Sequence, residues 1–447
     1  MVPEKTPLEA WIARKVTGSS SEMLTTKKLR DYQLNKLGET LDYVRAKSSF
    51  YQRHLPRHGA KADCSLVQLE DIGALPFTTA ADLRRFGQEM ICVKGSDIHR
   101  IVTLQTSGTT GLPKRVFFTE EDQELTLDFF HQGMLTMVKP GDRVLILLPG
   151  KVPGSVGELL QRGLARAGAE GFVHGPVVTP QAALEQMNRD KVNVLVGIPT
   201  QVLTLARVQK KAQVTLPPLH SVLLTTDHVP RSIVRELVKV WGCQVFNHYG
   251  MTEMGLGGGV DCRGLSGYHL READLYFEII DPLTGRPVQA GEFGEIVFTT
   301  LTRTGMPLIR YRTGDYSRFI VDACPCGTVL RNLERVGSRD CLNLGAGKLL
   351  SMADLDEVIF PWDGVLDFSA RMAEEYGKMV LTLEILMDGP NRERVEQTIR
   401  QEVETHPALR NLMEEGQLQV NLNFNADTAA YSGGNGTGKR MICDQRG

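Results

Sequence analysis

The stretch TSGTTGLPK, residues 106–114, packs hydroxyl groups, glycines and one cation into nine positions. Glycines let neighbouring backbone N–H groups converge on an anion, and hydroxyls and a lysine ammonium add donors and positive charge. The alternative is an ordinary Gly/Thr surface turn. The stretch therefore predicts a polyphosphate-binding loop whose candidate residues are Thr106, Ser107, Gly108, Thr109, Thr110, Gly111 and Lys114.

This loop is not a Walker A P-loop. Five positions after Gly108 stands Pro113, whereas that motif requires a second glycine followed directly by Lys and Ser/Thr. A second glycine-rich segment, residues 433–440, ends in Lys439-Arg440 and places Arg440 where Ser/Thr would hold Mg²⁺. The phosphate chemistry is consequently of another kind.

Three further segments follow the loop in order. They are Tyr249-Gly250-Met251-Thr252-Glu253, Tyr311-Arg312-Thr313-Gly314-Asp315 and Gly436-Thr437-Gly438-Lys439-Arg440. Each has an ordinary alternative taken alone: a helix start at Thr252, a core tyrosine at 249, a turn at Asp315 and a solvated tail at Lys439. Their order and spacing are much more specific than any one of them.

Together these segments resemble the adenylate-forming superfamily, which includes acyl-CoA synthetases, luciferases and peptide-synthetase adenylation domains. Within it the chain is most similar to phenylacetate-CoA ligases and coenzyme F390 synthetase-like proteins. Supporting features are the short length, the helix that ends near Tyr51, and the segment from Leu301 through Asp315 to Cys326.

The resemblance implies roles for individual residues. The loop Thr106–Lys114 would hold the β- and γ-phosphates of ATP, and Thr252 would bond the α-phosphate. Glu253 would coordinate Mg²⁺, a hard cation that favours carboxylate oxygen. Tyr249, with Gly250 beside it, would stack on adenine, and Asp315 would accept hydrogen bonds from ribose. Lys439 would reach the carboxylate and the α-phosphate during adenylation.

The hinge departs from the pattern of this branch. It reads Gly337-Ser338-Arg339-Asp340-Cys341, with Ser338 where the branch has a ribose-binding arginine. Arg335 or Arg339 would substitute for that arginine, and Asp340 is the candidate pivot. A lid that rotates about Asp340 would let a thiol approach. The altered hinge therefore weakens the inference of CoA transfer more than the inference of adenylation.

The implied activity is ATP-dependent, AMP-forming activation of a small, aromatic carboxylic acid followed by transfer to the thiol of coenzyme A. Two alternatives stay open: an adenylating enzyme that loads a carrier-protein thiol or an amine, and a catalytically silent nucleotide-binding protein. Glycines at residues 150–157 and 255–259 leave room for a flat ring, or serve only backbone turns.

Composition excludes several other classes. The chain has 447 residues, enough for two or three domains, and 51 Lys and Arg nearly balance 53 Asp and Glu. That balance argues against a nucleic-acid partner. The N-terminus lacks a signal-peptide pattern and no apolar run reaches membrane-spanning length, so the expected location is cytoplasmic, with no membrane partner. The oligomeric state stays open, a homodimer included.

The pattern of apolar runs predicts an α/β fold. Short buried runs at residues 144–148, 192–196 and 222–224 alternate with helical stretches such as 158–167 and 231–241, which favours a parallel sheet. We expect a large N-terminal domain, residues 1–337, with layered, mostly parallel sheets and a β-rich subdomain beyond Gly291. A small mobile α/β lid domain, residues 338–447, follows. Thr119 and Asp122 predict a capping box.

Four residues are candidates for one metal site. Cys262 and His269 are seven positions apart, and Cys324-Pro325-Cys326-Gly327 follows Asp315. Three thiolates and one imidazole suit tetrahedral zinc, although Cys-Pro-Cys-Gly is also a plausible tight turn without metal. The resemblance adds weight to structural zinc, because the phenylacetate-CoA ligase branch often carries Cys-Gly segments here.

Overall fold

The structure is a computed structural model that describes residues 3–19, 22–57, 66–104, 113–336, 341–345, 348–388, 392–425 and 440–446. Its α-helices are α1 Pro7–Thr17, α2 Thr26–Lys47, α3 Ser49–Arg57, α4 Ala80–Phe86, α5 Glu120–Met134, α6 Val156–Arg166, α7 Pro180–Arg189, α8 Pro199–Ala212, α9 Arg231–Trp241, α10 Met352–Ile359, α11 Arg392–Glu404 and α12 Arg410–Glu414. Short 3₁₀ helices span Leu69–Ala74, Gly87–Met90, Gly95–Asp97 and Thr252–Met254.

The strands are β1 Arg100–Leu104, β2 Lys114–Phe118, β3 Arg143–Ile146, β4 Glu170–Val173, β5 Val194–Gly197, β6 Ser221–Leu224, β7 Gln244–Tyr249, β8 Gly259–Asp261, β9 Tyr268–Leu270, β10 Leu275–Ile280, β11 Gly294–Thr300, β12 Tyr311–Ser317, β13 Asn332–Leu333, β14 Cys341–Asn343, β15 Leu349–Ser351, β16 Val365–Glu375, β17 Lys378–Met387, β18 Leu418–Asn425 and β19 Ile442–Asp444. The α/β class predicted from the sequence is confirmed. No helix among the described residues has both the length and the apolar character needed to cross a bilayer.

Two compact units make up the chain. The first contains residues 1–140, 162–168 and 248–336, and the second contains residues 141–161, 169–247 and 337–447. The second unit thus joins the C-terminal residues to two earlier segments of the chain. The predicted division into residues 1–337 and 338–447 stays a prediction.

The second unit holds a parallel sheet in the order β7-β6-β5-β3-β4. Every residue of β5 and β6 is buried, as the uninterrupted apolar runs predict for strands covered on both faces. The predicted helix at 231–241 is α9, which buries Ile233 and Leu237 one turn apart. The predicted runs at 144–148, 192–196 and 222–224 therefore correspond to β3, β5 and β6 of this sheet, and the predicted helix at 231–241 corresponds to α9.

The C-terminal part of the second unit is a four-stranded sheet in the order β18-β17-β16-β19. β16 and β17 form an antiparallel hairpin around Tyr376 and Gly377, which both have positive φ, as a two-residue turn requires. Leu203 of α8 and Ile233 of α9 belong to the same buried cluster as Leu355 and Phe360. Residues 337–447 and the α8–α9 region therefore share one hydrophobic core.

The first unit is richer in antiparallel strands. β10, β11 and β12 form one sheet, and β13, β9 and β8 form a ladder that pairs with the last two residues of β7. β1 and β2 pair antiparallel, so that Lys114 begins β2 opposite Leu104. The predicted capping box is confirmed: Thr119 and Asp122 exchange hydrogen bonds at the start of α5.

Candidate functional site

A buried carboxylate, Glu253, gathers side chains from distant parts of the first unit. It lies on the single 3₁₀ turn after β7 and is 1% exposed. Lys114, at the start of β2, donates to its Oε1. The hydroxyl of Tyr311, at the start of β12, donates to the same oxygen at 3.0 Å. Three sequence motifs that are far apart in the chain therefore meet at one carboxylate.

Arg303 is the second cation at this site. Its guanidinium donates to the backbone carbonyl of Glu253 at 2.8 Å and lies over the ring of Phe118, 4.9 Å from the centroid. Burial lowers the pKa of Arg303 to about 10, so the group stays charged at neutral pH. Sequence reasoning did not identify Arg303, because an isolated arginine in the loop between β11 and β12 belongs to no motif. Tyr311 could have been identified from the sequence, because it begins the segment that contains Thr-Gly-Asp.

Tyr249 and Asp315 form a second pair in the same unit. The Tyr249 hydroxyl donates to Asp315 Oδ2 at 3.0 Å, and the Tyr249 ring lies 5.9 Å from that of Tyr268. Asp315 is 1% exposed and four residues after Tyr311 on β12, and side chains four apart on a strand share a face. β12 thus supplies a contact to Glu253 and the carboxylate that holds Tyr249.

Glycines in the segments 150–157, 249–253 and 255–259 have a packing role. A Cβ on Gly250 would lie 2.3 Å from the Leu256 carbonyl oxygen, and one on Gly257 would lie 2.2 Å from the Phe129 ring. A Cβ on Gly157 would lie 2.8 Å from the Pro149 carbonyl oxygen. Close packing against Pro149 and Phe129 therefore accounts for glycine at 157 and 257 without any ligand.

The remaining predicted residues divide into two groups. Arg335 donates to the buried carboxylate of Asp261 at 3.3 Å, and Thr252 begins the turn that carries Glu253. The other group lies outside the described residues and comprises Thr106, Ser107, Gly108, Thr109, Thr110, Gly111, Arg339, Asp340 and Lys439. Their proposed roles stay predictions.

The four predicted metal ligands come together in the first unit. One ligand atom from each of Cys262, His269, Cys324 and Cys326 lies within 4.8 Å of the others, and all four residues are buried. Sγ of Cys262 and Cys324 are 3.5 Å apart, and Cys326 Sγ is 3.4 Å from His269 Nε2. Three sulfur atoms and one imidazole nitrogen at these separations suit a tetrahedral soft-ligand site.

The surroundings of the cluster fit a metal as well. The Gly264 N–H points at Cys262 Sγ at 3.2 Å, and the Ser266 hydroxyl lies 3.2 Å from Cys324 Sγ. Donors of this kind stabilise thiolates, the form that binds metal. The hydrogen bond with Cys262 has the largest effect on the Cys326 thiol and lowers its pKa, and the hydrogen bond with His269 lowers that pKa further.

Comparison with known proteins adds the following. Residues 52–302 match the model of the family described as "AMP-binding enzyme". A phenylacetate-coenzyme A ligase of Thermus thermophilus is 30% identical over 323 residues, 68% of this chain and 69% of that protein. A phenylacetate-coenzyme A ligase of Pseudomonas putida is 30% identical over 309 residues, 65% and 67% of the two chains. A solved 2-hydroxyisobutyryl-CoA ligase in complex with 2-HIB-AMP has the same fold, with a TM-score of 0.78, 20% identity, and coverage of 93% and 89%.

Proposed function

We propose that this chain, which belongs to the AMP-binding enzyme family, is an ATP-dependent, AMP-forming ligase that joins a small carboxylic acid to coenzyme A. The observation that carries this proposal is the meeting of Lys114, Tyr311 and Glu253 within one buried polar site of the first unit. The relatives from Thermus thermophilus and Pseudomonas putida are named phenylacetate-coenzyme A ligases, which supports a small aromatic acid as substrate.

The proposed reaction has two steps. A carboxylate oxygen attacks the α-phosphorus of ATP, the bond to the bridging oxygen breaks, and pyrophosphate leaves with the electron pair. The thiol of coenzyme A then loses its proton and attacks the carbonyl carbon of the mixed anhydride, and AMP leaves. Both steps depend mainly on positioning and on neutralising phosphate charge.

The residues of the first unit would divide this work. Lys114 and the loop that precedes it would neutralise the β- and γ-phosphates, and Thr252 would donate to the α-phosphate. Asp315 would bind ribose, while Tyr249 would lie against adenine. The buried carboxylate of Glu253 offers the oxygen donor that Mg²⁺ prefers, and Mg²⁺ when bound would supply charge neutralisation at the phosphates. Lys114 would then exchange its bond to Glu253 for one to phosphate.

Zinc is the metal that suits the cysteine cluster. We infer that Cys262, His269, Cys324 and Cys326 hold a structural Zn²⁺, because the four side chains are buried together and form a complete ligand set. A closed set of four protein ligands leaves no coordination position for substrate. The proposed role is therefore to hold together the segments around β8, β9 and β13.

Replacing Cys324 by serine tests the zinc proposal. We expect the zinc content to fall from one ion per chain to nearly none and the melting temperature to fall by on the order of 10 °C, because structural zinc contributes directly to folding. Atomic emission spectroscopy and thermal unfolding measure the two quantities. Cys243→Ser is the matched control, since Cys243 is also buried but lies in another cluster. A native preparation without zinc would contradict the proposal.

A panel of carboxylic acids tests the activity itself. We expect exchange of labelled pyrophosphate into ATP only when an acid is present, with arylacetates more active than short aliphatic acids. Addition of CoA should convert ATP to AMP and the acid to a thioester, which mass spectrometry identifies. Exchange without thioester would favour a carrier-protein or amine acceptor. Nucleotide binding without any exchange would favour a silent binding protein.

Location and assembly stay predictions. We expect a cytoplasmic enzyme without a membrane partner. We also expect no nucleic-acid partner, because the charges are nearly balanced at −2 overall. Light scattering would decide whether the chain forms a homodimer.

A further inference from the structure

A large cleft of the second unit lies apart from every residue assigned above. It encloses about 980 Å³ and lies between the C-terminal half of α8, α9, the segment after α10, and α11. Side chains of both signs and several apolar groups line it, and the charged ones are Arg207, Lys210, Lys211, Glu236, Lys239, Asp363, Asp388, Arg392 and Arg394.

Arg207 is the unusual member of this lining. It is 8% exposed, and one of its terminal nitrogens donates to the Phe360 carbonyl oxygen at 3.0 Å. Its Nε and its other terminal nitrogen are buried and reach no hydrogen-bond acceptor within the described residues. Burial lowers the pKa of Arg207 to about 10, so the group is still a cation at neutral pH. A buried cation with two idle nitrogens is costly unless a ligand supplies acceptors.

Arg310 shows what a purely structural buried arginine looks like in this protein. It is 1% exposed and binds both carboxylate oxygens of Glu278, at 2.9 and 3.1 Å. It also donates to the carbonyl oxygens of Gly73 and Leu75. Every nitrogen of Arg310 is therefore engaged by the protein. Arg207, in contrast, lines the cleft and keeps two nitrogens without an acceptor among the described residues.

The charge around Arg207 favours an anion. Six cationic side chains and three carboxylates line the cleft, in a chain whose net charge is −2. Lys210 lies 3.4 Å from Glu236, and Lys211 contacts Asp388, but these lysines are exposed. Exposed ion pairs are weak and exchange readily for another partner. The lysines are thus available to a polyanion.

The size and apolar lining favour an organic anion. The half-buried ring of Trp362 lines the cleft together with Leu366, Met387 and Val395. A volume of about 980 Å³ is far larger than an inorganic ion needs and is within the range of small-molecule sites. A flat organic group could contact the apolar side chains while its charged end reaches the cations.

We propose that this cleft binds an organic phosphate of about nucleotide size, with a phosphate group held by Arg207 and the surrounding lysines. The planar guanidinium fork matches two phosphate oxygens. The ligand is either the phosphate-bearing end of coenzyme A, an alternative that rests on the proposed function, or a separate regulatory nucleotide. Both present the same chemistry to the cleft.

Calorimetric titration with coenzyme A and with adenosine 3′,5′-bisphosphate tests the proposal on the intact protein. For Arg207→Met we expect affinity for the bisphosphate to fall by about tenfold or more, which is the usual cost of losing charged hydrogen bonds. Arg400→Met is the control, because Arg400 is an exposed residue of α11 outside the cleft. If Arg207→Met fails to fold, the exposed pair Lys210→Met and Lys211→Met replaces it.

The outcomes separate the two ligand sources. A raised KM for CoA, with acid-dependent pyrophosphate exchange unchanged in the absence of CoA, indicates the CoA end. Weaker bisphosphate binding with an unchanged KM for CoA indicates a separate regulator. Equal affinity of Arg207→Met and the wild type for both probes overturns the proposal. If the wild type shows no exchange with any acid, the proposed function fails, while the binding measurements still decide the cleft.

Discussion

Glu253→Gln is expected to reduce acid-dependent ATP–pyrophosphate exchange by about 10²-fold or more. The carboxylate is buried and lies at the meeting point of Lys114 and Tyr311, so its charge organises the cations around the proposed phosphate site. Glutamine keeps the shape but removes the negative charge, and with it the oxygen ligand that Mg²⁺ prefers. The Mg²⁺ concentration for half-maximal exchange should rise as well.

Two companion variants distinguish charge from structure. Tyr311→Phe removes one neutral donor to Glu253, and we expect a loss of about fivefold, since one such bond contributes about 1 kcal/mol. Glu121→Gln, on the exposed face of α5, should change nothing. Thermal unfolding must show that Glu253→Gln is folded. A folded variant that keeps wild-type exchange would remove Glu253 from the mechanism.

Features with local causes were predictable from the sequence. Thr119 and Asp122 indicate the start of α5, because a capping box is made by two residues three positions apart in the sequence. The spacing of the apolar residues Ile233 and Leu237 predicts helix α9, because residues four apart lie on the same face of a helix. The metal cluster was predictable for a different reason. Cysteine and histidine are the usual zinc ligands and occur only 8 and 10 times in the chain, so their positions are informative even across 62 residues.

Features that depend on tertiary packing were not. The contact between Lys114 and Glu253 spans 139 residues, and only the family resemblance linked the two. Nothing in the sequence distinguishes the buried Arg303 from the exposed Arg400. Burial of an arginine is decided by the surfaces that pack against it. The same holds for Arg207. That two of its nitrogens have no acceptor depends on the packing of α8 against Phe360, which the sequence does not reveal.

The residue after Lys439 is firmly anchored in the second unit. The Arg440 N–H donates to Asp227 at 3.2 Å, and its guanidinium contacts Asp356 and donates to the Phe368 carbonyl oxygen at 2.9 Å. Asp227 follows β6, whereas Asp356 belongs to α10, so the anchor joins distant segments of that unit. Because Arg440 directly follows Lys439 in the chain, we expect this anchor to limit the positions that Lys439 can reach.

Lys439→Ala is expected to reduce acid-dependent pyrophosphate exchange by about 10²–10³-fold with folding intact, because a cation aimed at charge that develops in the transition state contributes several kcal/mol. Thioester formation from synthetic acyl-adenylate and CoA should change by less than about threefold, since the phosphorus has already reacted and that transition state no longer needs the lysine.

Arg440→Met should lower exchange and the melting temperature together. Arg446→Met is the matched control, because Arg446 pairs with Asp444 near the surface of the same segment. Unchanged exchange in Lys439→Ala would exclude this lysine from adenylation, and equal loss in both half-reactions would mean that it maintains structure instead.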